Sequence, residues 1–334
     1  YDRALSAEEI RLLYDTEAEL PAQSVTSAKL STVLSDLIDG NGSLEQALPA
    51  GSVIARKPGE APPPGYTLFQ RPEYNASLVW EEKAPISMGR WAFDGTEVID
   101  GKIYFSGNRR EQNGSTILEC YDPLIDQWQT LTPRPKLRGM ICTTSLNGKY
   151  YVLGGISDRS VEIYDPDSDT WSDGVEMPEH LGYCNAVTHD GKIYVVGAGK
   201  VFVFDPVSNN WSIKAEANFS GTNLIVYNNR IWSFSQEGVE SYDPQSDFWQ
   251  IEASLSINRE YPAVWIHGSK IYVMGGRRFD GVSVLEQYQT MEVYDPKLRQ
   301  WEMLGEFVEK RAVMNAVVVN EVVYIIGGEA SGKG

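Results

Sequence analysis

Five carboxylates, Asp165, Asp167, Asp169, Asp173 and Glu176, stand at relative positions 1, 3, 5, 9 and 12. That is the ligand spacing of a calcium-binding loop, whose oxygens surround a hard cation. Such a loop needs Gly at its sixth position, and Thr170 stands there. A solvated acidic turn is therefore the stronger reading, and no metal is expected. Arginine offers a second chemistry. Arg90, Arg138, Arg259 and Arg311 stand singly, and Arg109-Arg110 and Arg277-Arg278 stand in pairs. Each guanidinium is a planar fork that grips a carboxylate with two hydrogen bonds, which Lys cannot do. Glu260 beside Arg259, and Glu329 near Arg311, could also form pairs for general acid–base work. No phosphate-binding glycine loop, nucleophile elbow or Cys/His zinc spacing is present, and no cofactor is expected.

Those side chains must be positioned by a fold, and a repeat reveals it. An aromatic followed by Asp-Pro stands seven positions before a Trp five times: Tyr121 to Trp128, Tyr164 to Trp171, Phe204 to Trp211, Tyr242 to Trp249 and Tyr294 to Trp301. A second signature places an aromatic three positions before a small-residue pair. The pairs are Gly107-Asn108, Gly154-Gly155, Gly197-Ala198, Ser235-Gln236, Gly275-Gly276 and Gly327-Gly328. Their spacings of 47, 43, 38, 40 and 52 residues fit a four-stranded blade. Asp100-Gly101, Asn147-Gly148 and Asp190-Gly191 each separate two apolar runs, a strong hairpin signal. Each unit reads as strand a, tight turn, strand b ending at the small pair, loop, strand c ending at Asp-Pro, and strand d carrying the Trp. Pro cannot donate to a ladder and stops strand c. The recurring Tyr and Trp are expected to pack between neighbouring blades.

These residues resemble the kelch motif, a diglycine followed by a Tyr and then a Trp about seven positions later. The resemblance covers residues 66–328 and implies a β-propeller. The chain stops six residues after Gly328, without strands c and d for its last repeat. Residues 67–72 and 78–82 read as the missing pair, with Trp80 in register 48 residues before Trp128. The expectation is an all-β, six-bladed propeller over residues 66–334, its last blade closed by two C-terminal and two N-terminal strands.

Residues 1–65 are expected to form a separate helical and Pro-rich linker region. Residues 1–20 resemble the end of a laminin-G or concanavalin-like domain, though too short to fold as one. Ser6 and Glu9 suit a capping box opening a helix near 6–17. Residues 24–39 carry a weak helical pattern, and Ala61-Pro62-Pro63-Pro64-Gly65 is a stiff spacer. The resemblance implies a secreted or surface-displayed bacterial protein, part of a larger multidomain chain.

Antiparallel strands send their connections alternately to two faces. The b–c and d–a loops share one face, and the turns share the other. Of 13 Arg beyond residue 65, ten fall on the b–c/d–a face, including all eight named above. Arg90, Arg138, Arg259 and Arg311 directly precede a strand a, so they should ring the channel mouth. The opposite face collects Asp. The expected function is non-enzymatic recognition of an anionic protein segment or acidic glycan at the Arg-rich mouth. The competing expectation is that these Arg pair with Glu of the same face. Because some six-bladed kelch proteins resemble sialic-acid mutarotases, a Glu/Arg enzyme at the same mouth is the alternative. A copper-radical oxidase would need His at the mouth, where only His180 falls. Catalytic residues are therefore unknown.

Composition narrows the partners. The 334 residues carry 29 basic and 46 acidic side chains, a net charge of −17. A nucleic-acid surface would need a clustered positive field. No apolar run approaches 18 residues, so no membrane insertion is expected. Three Cys, Cys120, Cys142 and Cys184, exclude a disulfide scaffold.

Overall fold

The computed structural model describes residues 80–87, 95–106, 116–181, 184–219, 223–281, 283–307 and 309–330. The chain divides into two units, Tyr1–Leu78 and Val79–Gly334, and every described residue belongs to the second. The expected N-terminal helices, the Pro-rich spacer, the laminin-G-like segment and strand 67–72 lie outside the described residues.

Five four-stranded antiparallel sheets follow one another along the chain. Blade 1 comprises β1 (Thr96–Ile99), β2 (Lys102–Ser106), β3 (Leu118–Asp122) and β4 (Gln127–Thr130). Blade 2 comprises β5 (Cys142–Leu146), β6 (Lys149–Leu153), β7 (Val161–Asp165) and β8 (Thr170–Asp173). Blade 3 comprises β9 (Asn185–His189), β10 (Lys192–Gly197), β11 (Lys200–Asp205) and β12 (Asn210–Ile213). Blade 4 comprises β13 (Asn223–Tyr227), β14 (Arg230–Phe234), β15 (Val239–Asp243) and β16 (Phe248–Ile251). Blade 5 comprises β17 (Ala263–His267), β18 (Lys270–Met274), β21 (Thr290–Asp295) and β22 (Gln300–Glu306). Its b–c loop carries an extra hairpin, β19 (Arg277–Phe279) and β20 (Val284–Gln287). A two-stranded sheet, β23 (Arg311–Val319) and β24 (Val322–Ala330), completes the order. No helix occurs among the described residues, so none there is long and apolar enough to cross a membrane.

The described residues thus hold five complete blades, not six, and no hydrogen-bonded two-plus-two closure. Residues 80–82, expected in a strand d, have no strand pairing. Trp80 instead packs edge-on against Phe307, ring centroids 4.8 Å apart. The inner strands still close on themselves. β1, β5, β9, β13, β17 and β23 neighbour one another in cyclic order. Asn315 Nδ2 donates to Thr96 Oγ1 across the last step, at 3.2 Å.

The apolar core is correspondingly divided. Six buried clusters form, one between each pair of adjacent sheets. Apolar side chains on both faces of each sheet, such as Tyr194 on one and Ile193 on the other, feed two clusters. At the a–b turn of blade 1, Asp100 and Gly101 both adopt positive φ, 50° and 73°. A two-residue turn of this kind matches the strand twist, which is why Asp-Gly marks it.

The Tyr–Trp spacing builds an interblade latch. Each Trp indole donates to a backbone carbonyl four residues after the Trp position of the preceding repeat. The pairs are Trp128 to Ala84, Trp171 to Thr132, Trp211 to Val175, Trp249 to Ala215 and Trp301 to Ala253, at 2.8–3.1 Å. In three repeats an Asp at the c–d turn completes the latch. Asp126, Asp169 and Asp247 each accept a Tyr hydroxyl at 2.6 Å. Each also accepts the linker N–H of Ala84, Thr132 or Ala215 at 2.8–2.9 Å. The hydroxyl and the N–H hold these carboxyls below their ordinary range.

Candidate functional site

Arg138 and Arg259 precede strands a and Arg311 opens β23, but their forks turn into the wall. Two residues after each, the backbone enters the left-handed region: Met140 (φ 55°), Tyr261 (φ 51°) and Val313 (φ 59°). That conformation is costly for a non-glycine residue, most of all for a β-branched one. It persists because the arginine anchors the segment. Arg138 donates to Gly154 O at 2.6 Å, Ser160 O at 2.7 Å and Glu162 at 2.6 Å. Arg259 donates to Ile257 O at 2.9 Å, Gly275 O at 2.9 Å and Thr290 O at 3.0 Å, and pairs with Glu292. Arg311 donates to Gly327 O at 2.8 Å and pairs with Glu309. All three therefore grip the carbonyl of the first glycine of a diglycine. Arg138 and Arg259 are 7% and 0% exposed, so they offer no free fork to a ligand.

The glycines have their own reason. A Cβ on Gly275 would lie 2.2 Å from Met314 Cε and 2.4 Å from Arg311 O. Gly276 N donates to Arg311 O at 2.9 Å. Only a residue without a side chain lets the next linker approach this closely.

Sequence reasoning missed Glu162 and Glu292, the carboxylates that meet Arg138 and Arg259. Glu119, Glu162, Glu240 and Glu292 each sit two residues before the strand-c Tyr, and all are buried. Glu162 also accepts Lys136 N at 2.9 Å, and Glu292 accepts Ser256 N at 2.7 Å. Glu240 accepts Asn218 N and Phe219 N, both at 3.1 Å. Burial pushes the Glu240 carboxyl up, and those donors oppose the shift. A Glu at one fixed offset inside otherwise apolar strands was the available signal.

The blade 5 hairpin gathers the remaining candidates. Arg277 pairs with Glu260 at 2.9 Å, and its guanidinium lies 5.3 Å from both the Tyr261 and Phe279 ring centroids. Glu329 lies 3.9 Å away. Burial pushes the Glu260 carboxyl up while Arg277 pulls it down. Arg277 and Glu260 also exchange two backbone hydrogen bonds, 2.9 and 3.0 Å. Gln236, which stands where a glycine was expected, clamps the last residue of β19. Its amide donates to Phe279 O at 2.9 Å and accepts Phe279 N at 3.0 Å. The ribbon so held exposes Arg278, Val284 and Leu285. Arg90, Arg109 and Arg110 lie outside the described residues.

The opposite face is not the bare acidic surface expected. In every blade a base at the start of strand b meets the Asp that ends strand c. The pairs are Lys102–Asp122, Lys149–Asp165, Lys192–Asp205, Arg230–Asp243 and Lys270–Asp295. Counting only Arg hid these lysines. Of the EF-hand-like run, Asp165 pairs with Lys149, Asp169 serves a latch and Asp173 pairs with Lys136. Among the described residues no group of three or more His, Cys, Asp or Glu is arranged to hold a metal. His189 and His267 end β9 and β17, at a–b turns.

Comparisons with known proteins agree with this geometry. The family profile described as "Kelch motif" matches residues 137–178 and 259–307. Alpha-scruin of Limulus polyphemus is 24% identical over 256 residues, 75% of this chain and 20% of that protein. Kelch-like protein 25 of Xenopus tropicalis is 26% identical over 242 residues, 69% of this chain and 35% of that protein. The chain thus spans about a fifth to a third of these relatives. The influenza virus NS1A-binding protein homolog of Mus musculus is 33% identical over 66 residues, 20% of this chain and 10% of that protein. These relatives are eukaryotic, so the bacterial expectation gains no support from them. The solved structure of YjhT superposes with a TM-score of 0.64 at 17% identity, covering 75% of this chain and 94% of that one. That likeness concerns the fold alone.

Proposed function

We propose, from the premise that this chain is a kelch-repeat β-propeller, that it is a recognition module. Its partner is a protein segment with an acidic and an apolar side chain, taken at the b–c/d–a face. The observation that carries this reading is the blade 5 hairpin. Gln236 and Glu260 fix its backbone, while Arg278, Val284 and Leu285 face solvent. A pre-ordered ribbon loses little entropy on binding, and exposed Arg and aliphatic groups suit recognition. The name of one relative describes binding to a protein, in the same direction. Arg138 and Arg259 act beneath this face as supports, and Arg277 with Arg311 forms its ion-paired floor.

Panning a peptide library and an acidic-glycan array against the purified chain tests the reading. Acidic peptides should bind, and Arg278→Ala with Leu285→Asp should weaken them at least tenfold. Binding of uronic-acid glycans alone, or peptides indifferent to both substitutions, overturns it.

The sixth blade belongs to the same proposal. Trp80 precedes Ala84 by four residues, as Trp128 precedes Thr132 and Trp171 precedes Val175. Ala84 makes both latch bonds to blade 1. This register supports residues 78–82 as the outer strand of a blade shared with β23 and β24. Removal of residues 1–83 should then abolish cooperative unfolding; a deletion that unfolds like the full chain refutes the closure.

A further inference from the structure

Two interblade junctions lack the Asp latch: blade 5 carries Arg299 at the turn, and the junction between blades 2 and 3 departs furthest. Between blades 2 and 3 the aromatic is Phe204, without a hydroxyl, and the turn residue is Asn209 in place of Asp. Asn209 keeps the left-handed backbone of the latch position, φ 54° against 53°, 52° and 53° for Asp126, Asp169 and Asp247. Trp211 still donates to Val175 O at 2.9 Å. The Val175 N–H is the counterpart of the N–H groups that those three Asp accept. Among the described residues, no hydrogen bond is formed by that N–H or by the Asn209 side-chain amide.

A cavity of about 420 Å³ opens at this junction. Leu153, Val161, Ile193 and Phe204 form its buried apolar wall, and Val175 and Asn209 stand at its rim. Asp173 shares the rim, with its carboxylate paired to Lys136 at 2.9 Å. Volumes in this range hold small ligands.

We propose that this cavity is a binding site for a small apolar monocarboxylate. Its carboxylate sits against the Asn209 turn, accepting from Val175 N–H and the Asn209 amide. Its hydrocarbon body lies on the Phe204 wall. Two neutral donors beside an apolar surface select an anion with one charged end, and the nearby Asp173 keeps affinity modest.

Benzoate is the probe, with benzyl alcohol as the neutral control of the same shape. Amide-resolved NMR of the full chain should show saturable benzoate shifts at Val175 N–H and the Trp211 indole. Benzyl alcohol should bind at least tenfold more weakly. Asn209→Asp places a resident carboxylate at the rim and should abolish the benzoate shifts. Asn209→Ala, which removes the amide without adding charge, should weaken them several-fold. No saturable shift at Val175, equal binding of the two probes, or unchanged benzoate binding by either folded variant would overturn the proposal.

Discussion

The two ends of the propeller carry the same kind of contact in different settings. At the mouth, Arg259 and Glu292 meet with both side chains 0% exposed. At the far end, Lys192 and Asp205 meet at 3.0 Å with side chains 43% and 30% exposed. Both pairs recur in other blades, so each is part of the repeat. Their physical consequences differ. Water screens the exposed pair, and holding two flexible side chains together offsets most of its attraction. The buried pair lost its hydration on folding, so neither partner tolerates the loss of the other. One end uses charge to fix backbone, and the other to cover a turn.

Removing one partner at each end tests that contrast. Arg259→Ala should have the largest effect, because it strands Glu292 and uncovers the Gly275 and Thr290 carbonyls. The expected loss is about 3–5 kcal/mol in denaturant unfolding. A loss below about 1 kcal/mol would erase the difference between the ends. Asp169→Asn is intermediate, weakening the bonds to Tyr164 and Thr132. A fall in Tm of about 2–4 °C at neutral pH is expected. Asp169 is held below its ordinary value, chiefly by the Tyr164 hydroxyl. Its contribution is therefore complete above the unfolded carboxylate pKa and is lost as pH falls through the lower, folded one. Thermal melts across the acid range should show the variant and parent converging, whereas a constant gap would remove the carboxylate from the latch. Lys192→Ala should shift Tm by no more than about 1 °C, and by less in high salt. A larger, salt-insensitive shift would mean that the far end is not screened.

The periodic features were legible in the sequence because they are backbone and packing demands. Asp-Gly or Asn-Gly at three a–b turns, and the aromatic-Asp-Pro with its Trp offset in five repeats, each report a local geometry. The inner ring followed from counting strand b. Side-chain direction was harder. Arg138 and Arg259 were placed at the right loop, but their forks turn inward because Glu162 and Glu292 wait in strand c. Those partners lie 24 and 33 residues away, so only the three-dimensional pairing of blade and linker brings them together. Gln236 read only as half of a small-residue pair. Its role emerged only once β19 was seen lying beside it. On the far face, five Asp meet a Lys or Arg at the start of strand b, which a count of Arg alone did not show.

The contact between Asn315 and Thr96 spans 219 residues of chain. A nascent polypeptide emerges from its N-terminal side, so β1 is made long before the strand it must meet. Loop-closure entropy opposes that encounter until intervening sheets have folded and shortened the path. For that interval the face of β1 that packs against β23 stays uncovered. Slower synthesis across blades 2 to 5 would lengthen that interval, and crowding with sister chains would turn it into a route to misassembly.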